Sequence, residues 1–112
     1  MFGLTSQVPQ IDTKDVYEQI KKGTEALLID VRTAGEVEKG KIKGSIHIPL
    51  DQLEIIDKKV PDKGKTLYVY CLSGSRSAQA VQILEQMGYE KAFSMKSGLL
   101  SWRTKNFPLE NI

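Results

Sequence analysis

The sequence predicts an α/β domain built on a largely parallel sheet. Three observations point to it. Apolar, β-branched and aromatic runs alternate with segments of helical spacing along the chain, the pattern of strand–helix–strand units. Two of those runs, 26–31 and 67–70, are nearly continuous in apolar residues, as strands covered on both faces are. The stretch 66–87, TLYVYCLSGSRSAQAVQILEQM, reads as strand, tight loop and helix, with the only cysteine, Cys71, at the turn.

Residues 1–10 read as a loosely ordered lead-in punctuated by Pro9, and 11–112 as the single domain. Ile11 begins a short edge strand. Asp12 and Thr13 offer a helix N-cap, after which Val16, Tyr17 and Ile20 recur at helical spacing until Gly23. The run 26–31 is a central strand ending in Asp30-Val31-Arg32. Thr33 is a second N-cap candidate, for a short helix through Glu36 and Val37 that Gly40 stops. Ile46-His47-Ile48 alternates up to Pro49 and reads as a short strand. A short helical segment is expected over 51–56, and Val60-Pro61-Asp62-Lys63-Gly64 is a turn. The second central strand covers 66–70. The helix after it runs from Ser77 to Gly88, with Ala78, Ala80, Val81, Ile83, Leu84 and Met87 as a broad apolar face. A strand over 91–95 and a short helix over 99–105, carrying Trp102, complete the domain.

Composition narrows the function. The 112 residues suffice for one modest core. A net charge of +2, with only the pairs Lys21-Lys22 and Lys58-Lys59 as basic clusters, gives no stripe for nucleic acid. One cysteine and one histidine exclude an internal disulfide framework, a cysteine-based zinc cluster and a histidine pair. No apolar stretch approaches the length of a membrane span. The opening residues Met1 to Ser6 lack the basic and apolar regions of a signal peptide. A reactive thiol without a resolving partner suits a reducing compartment, so the cytoplasm is the expected location.

In open α/β sheets ligands bind at the carboxyl ends of the strands. Cys71 follows one central strand and Asp30 and Arg32 end the other, so all three are expected at one sheet edge. The first turn of a helix has amides without intrahelical partners, and the helix dipole adds partial positive charge there. A loop of small residues can turn its own amides inward as an anion-binding nest, and Gly74 accepts backbone angles that other residues resist. A thiol over such a nest has its thiolate favoured. Arg76 adds a permanent charge and a planar fork of donors. The segment Cys71-Leu72-Ser73-Gly74-Ser75-Arg76-Ser77 therefore suits a sulfur anion held beside an oxyanion. It is an electropositive, partly exposed position, unlike that of the inert core cysteine that a lone thiol usually is. The hydroxyls of Ser73, Ser75 and Ser77 are candidate donors as well as turn and cap groups.

Tyr70 to Ser77 resembles the active-site loop of the rhodanese-like sulfurtransferases, whose single-domain members carry C-x-x-G-x-R-S. Leu28-Ile29-Asp30-Val31-Arg32 resembles that family's apolar strand ending in D-V-R, and Glu36 stands where its E-F or E-Y often stands. Gly40 to Pro49 resembles G-H-I-x-G-A-x-x-I-P, and Ser97 to Trp102 the late G-G-x-x-x-W. Lys41, Ser45 and Ser97 depart from these patterns. Ser97 replaces a glycine and is expected to alter the turn beside the pocket, since serine is less free at positive φ.

The resemblance implies a three-layer domain, with helices on both faces of the sheet. It also implies sulfane-sulfur transfer through a persulfide on Cys71. The donor would be a small molecule such as thiosulfate, and the acceptor cyanide or a thiol, with a protein acceptor open. No metal or organic cofactor is needed, and neither nucleic acid nor membrane is an expected partner. Residues Leu72 to Ser77 would form the substrate-binding loop. Arg76 would either pair with donor oxygens or brace the loop. Asp30 and Arg32 are expected to support the pocket in an ion-pair network with Glu36, His47 and Trp102 to be structural, and Lys41 to be an exposed charge at the rim. Two alternatives stay open: a persulfide relay serving a protein partner, and a rhodanese-fold phosphatase or arsenate reductase. Against the second, phosphatases use C-x5-R, whereas Cys71 and Arg76 frame C-x4-R, a smaller ring that suits one sulfur atom.

Overall fold

The computed structural model describes residues 8–111; residues 1–7 of the expected lead-in lie outside the described residues. The strands are Gln10–Ile11 (β1), Leu27–Asp30 (β2), Ile46–His47 (β3), Thr66–Tyr70 (β4) and Lys91–Met95 (β5). They form one sheet in the order β1-β5-β4-β2-β3, parallel throughout. The helices are Thr13–Lys21 (α1), Ala34–Val37 (α2), Ile56–Lys59 (α3), Ser75–Gln86 (α4) and Gly98–Thr104 (α5), with a 3-10 segment at Leu50–Ile55 leading into α3.

Successive side chains of a strand point to opposite faces, and the central strands use this to bury both. Ile29, Leu67, Val69 and Ala92 turn to one face. There they meet Leu53, Ile56 and Val60 from the region of α3, and Ala80, Val81 and Leu84 of α4. Leu28, Tyr68, Tyr70 and Met95 turn to the other face, against Val16 of α1 and Leu99 and Trp102 of α5. The result is the expected three-layer α/β architecture. Cys71 continues the alternation of β4 onto the α4 face and is fully buried there.

Local chemistry explains most element ends. Thr33 caps α2 through a capping box: its hydroxyl accepts from the Glu36 amide at 3.3 Å while the Glu36 carboxylate accepts from the Thr33 amide at 3.0 Å. Asp12 occupies the N-cap position of α1 but makes no side-chain capping bond. Gln10, assigned above to the lead-in, belongs to β1, since its strand pairs with β5 and the Pro9 carbonyl accepts from the Ser94 amide at 2.9 Å. Helix α4 begins at Ser75, two residues before the predicted start, because Gly74 makes the turn at φ 107° and serves as N-cap. Its buried face is narrower than the apolar pattern suggests: Ile83 is 38% exposed.

Candidate active site

The register of the sheet brings the candidate residues together. Asp30 lies opposite Tyr70 in the β2–β4 ladder, and the Val31 amide donates to the Tyr70 carbonyl at 3.1 Å. Cys71 and Arg32 therefore leave neighbouring strands at one carboxyl edge, with the loop 71–74 turning directly into α4.

Within that loop the amides of Gly74 and Ser77 donate to Cys71 Sγ, at 3.1 and 3.3 Å. Ser77 is the third residue of α4, so its amide is one of the donors a helix leaves unsatisfied. An N-cap serine or aspartate normally supplies the acceptor for it. Gly74 has no side chain, and the cysteine sulfur takes that place. Positive φ at Gly74 turns its amide the same way. The sulfur thus sits at the positive end of a helix of 12 residues, held by two backbone dipoles whose orientation favours negative charge.

The Ser77 hydroxyl lies 3.7 Å from Sγ, where it accepts from the thiol, and donates to the Gly74 carbonyl at 3.1 Å. It also shares a 2.6 Å hydrogen bond with the Ser94 hydroxyl. Ser94 is buried on β5 and joins the site although nothing in its local sequence marks it. Ser73 and Ser75 are exposed, and Leu72 packs partly against the α1–α5 side of the core. The thiol is more enclosed than the partly exposed position expected above, because strand alternation directs it inward.

Arg76 is not directed at the sulfur. Its two terminal nitrogens donate to the two carboxylate oxygens of Glu36, at 2.7 and 2.9 Å. This forked pair ties the start of α4 to α2, 40 residues earlier. The expected network of Asp30, Arg32 and Glu36 is thereby corrected: the Glu36 carboxylate belongs to Arg76, and Arg32 reaches only the Glu36 carbonyl, at 3.3 Å. Arg32 instead grips Asp30, with Nη2 at 2.7 Å from Oδ2 and Nε at 3.0 Å from Oδ1, and donates to the Gly40 carbonyl at 2.8 Å. Both partners are almost fully buried. The pair locks the end of β2 to the loop after α2. His47 Nε2 bonds the Arg32 carbonyl at 2.7 Å, and Trp102 Nε1 donates to the Pro108 carbonyl at 2.9 Å, both structural contacts. Lys41 is not a bare rim charge: Nζ donates to the Ser45 carbonyl and its backbone pairs with Glu110.

The forked hydrogen bonds from Arg76 hold the Glu36 carboxyl down at about 2, against an ordinary 4.5. A carboxyl depressed in the folded state stabilises it fully above the unfolded value, and that contribution disappears as pH falls through the folded value. Urea midpoints should therefore drop between about pH 4.5 and 2 more steeply in the wild type than in Glu36→Gln. Parallel curves would contradict the pairing.

Ser97 adopts φ 62° and Gly98 φ 52°, so the turn before α5 keeps its left-handed course despite the serine. The amides of Leu99 and Leu100 donate to the carbonyls of Cys71 and Leu72, each at 3.0 Å. Helix α5 thus clamps the cysteine loop from behind.

A parallel sheet with a cysteine cradled by its own loop at the carboxyl edge places the molecule among the α/β domains that carry a cysteine loop. More narrowly, the chain belongs to the family of the Rhodanese-like domain, whose profile matches residues 12–105. A sulfurtransferase of Allochromatium vinosum is 29% identical over 102 residues, spanning 91% of this chain and 94% of that protein. The thiosulfate sulfurtransferase PspE of Escherichia coli is 45% identical over 62 residues, 54% of this chain and 60% of its relative. The crystal structure of a rhodanese-related protein from Thermoplasma volcanium aligns with a TM-score of 0.81 at 33% identity, covering 92% of this chain and 98% of that one. Among the described residues no helix is long and apolar enough to cross a membrane.

Proposed function

We propose that the chain is a sulfurtransferase that moves a sulfane sulfur from a small donor such as thiosulfate to cyanide or a thiol, through a persulfide on Cys71. The observation that carries this reading is the pair of amides, from Gly74 and Ser77, directed at Cys71 Sγ. The relatives named sulfurtransferases support the same chemistry.

In the first step the Cys71 thiolate attacks the outer sulfur of thiosulfate. An Sγ–S bond forms, the bond to the sulfonate sulfur breaks, and sulfite departs with the electron pair. In the second step the acceptor attacks the outer sulfur. The S–S bond breaks, the acceptor leaves as thiocyanate or as its own persulfide, and Cys71 returns as thiolate. This divides one displacement between two easier ones. The two amides steady the negative charge on Sγ at the start and end of the cycle. Arg76 acts through Glu36 as a brace for the loop.

The test is thiocyanate production from thiosulfate and cyanide. Ping-pong kinetics are expected in the wild type, with turnover lost in Cys71→Ser. Hydrolysis of an aryl phosphate without thiocyanate formation would overturn the reading in favour of a phosphatase.

A further inference from the structure

Beside the cysteine loop lies a second feature that the persulfide chemistry does not use. Asp12 and Lys14 at the start of α1, Lys96 and Ser97 between β5 and α5, Ser101 on α5 and Lys105 at its C-cap line a hollow of about 340 Å³. Asp12 directly follows β1, Lys14 lies in the first turn of α1 just after it, and Lys96 directly follows β5. The hollow therefore opens at the same carboxyl edge of the sheet as Cys71. It adjoins the loop directly. A Cβ built on Gly74 would lie 3.3 Å from the Ser97 nitrogen, and the Gly74 amide is itself in contact with Sγ. One residue separates the sulfur from the rim.

The charge of the hollow is one-sided. Three lysines face one carboxylate, Asp12. All three lysines are exposed, and among the described residues none is paired with a carboxylate. Lys105 Nζ reaches only the Ser101 hydroxyl, at 2.9 Å. The loop itself offers the opposite picture. Its one cation, Arg76, is neutralised by Glu36, and Leu72, Ser73 and Ser75 are uncharged. The positive charge available to an anion at this edge thus lies beyond Gly74 and Ser97 from the sulfur. Such a placement suits a longer molecule whose thiol meets the persulfide while its acidic groups lie alongside the loop.

We infer that this lysine hollow receives the acidic side chains flanking the cysteine of a polypeptide sulfur acceptor. The inference rests on the persulfide reading and names the acceptor class for it. In the transfer the acceptor cysteine thiolate attacks the outer sulfur of the Cys71 persulfide, the S–S bond breaks, the Cys71 thiolate is released, and the acceptor carries the persulfide. Opposite charges across such a contact raise the encounter rate and are screened by salt.

The test uses the full chain, first loaded with thiosulfate and checked for a persulfide by intact mass. It is then offered three synthetic pentapeptides with a central cysteine flanked by glutamate, glutamine or lysine. The glutamate peptide is expected to discharge the persulfide about tenfold faster than the glutamine peptide, and the lysine peptide more slowly than either. The glutamate-to-glutamine ratio should collapse toward one in Lys96→Glu/Lys105→Glu and at high salt, and should persist in Lys58→Glu on α3. A ratio near one in the wild type, or one that survives the double substitution, overturns the inference while leaving the persulfide intact. A preference for mercaptosuccinate over 2-mercaptoethanol without one among the peptides would assign the hollow to small carboxylated thiols and overturn it as well. If no persulfide forms, both readings fall together.

Discussion

Replacing Gly98 by alanine should displace the cysteine loop or α5 and strongly destabilise the domain. Gly98 has φ 52°, and a Cβ there would lie 2.5 Å from the Cys71 carbonyl oxygen and 2.6 Å from that of Leu72. Both are backbone atoms, and both are fixed by the hydrogen bonds from Leu99 and Leu100. The new methyl group cannot be accommodated by a side-chain rotation. Either α5 moves away, breaking both bonds, or the loop moves and carries Sγ off its amides. Overpacking of a tight site costs about 1–3 kcal/mol, and the left-handed backbone adds about 1–2 kcal/mol for a residue with a Cβ. The expected loss is therefore about 2–5 kcal/mol, a large part of the stability of a small domain. Urea denaturation followed by circular dichroism measures it. Sulfur loading of the fraction that remains folded should also be slower than in the wild type. A variant of unchanged midpoint and unchanged loading would refute the clamp.

The second large effect is expected at Arg32. The Asp30–Arg32 pair is withdrawn from water on both sides. Removing one partner leaves the other charge buried and unpaired, at a cost of about 3–5 kcal/mol. Arg32→Ala strands the Asp30 carboxylate and also frees the Gly40 carbonyl. Stability should fall by that amount, whereas turnover per folded molecule falls much less, because neither side chain contacts Sγ in the described hydrogen bonds. The double variant Asp30→Asn/Arg32→Met, which leaves no lone charge, should recover part of the loss. A fall in turnover per folded molecule that exceeds the fall in stability would place Arg32 in the chemistry instead.

The contrast between these two positions shows what a sequence discloses. The arrangement of β2, β4 and α4 was legible because buried parallel strands are continuously apolar and helix stops are local glycine signals. The loop 71–77 was legible because its small residues stand between a strand and a helix. Thr33 was legible as an N-cap, although its reciprocal bond with Glu36 emerged only in the structure. Long-range pairings were not legible. The Glu36–Arg76 fork spans 40 residues, so in sequence Glu36 groups with Asp30 and Arg32, and Arg76 shows no protein partner. Ser94 looks like any strand serine until β5 sets it against Ser77. The exposure of Ile83 depends on how much of α4 the sheet covers, which helical periodicity does not encode. The close approach of Gly98 to two carbonyls is a property of the docked α5 and has no local signature.

The central claim is that Cys71 carries the transferred sulfur. Intact mass of wild type and Cys71→Ser after incubation with thiosulfate tests it most directly. The wild type should gain the mass of one sulfur atom and lose it again on adding a small thiol, with sulfite released in the loading step, and the variant should gain nothing. An unmodified wild type after both thiosulfate and a small-molecule persulfide donor, or an equal gain in Cys71→Ser, would contradict it.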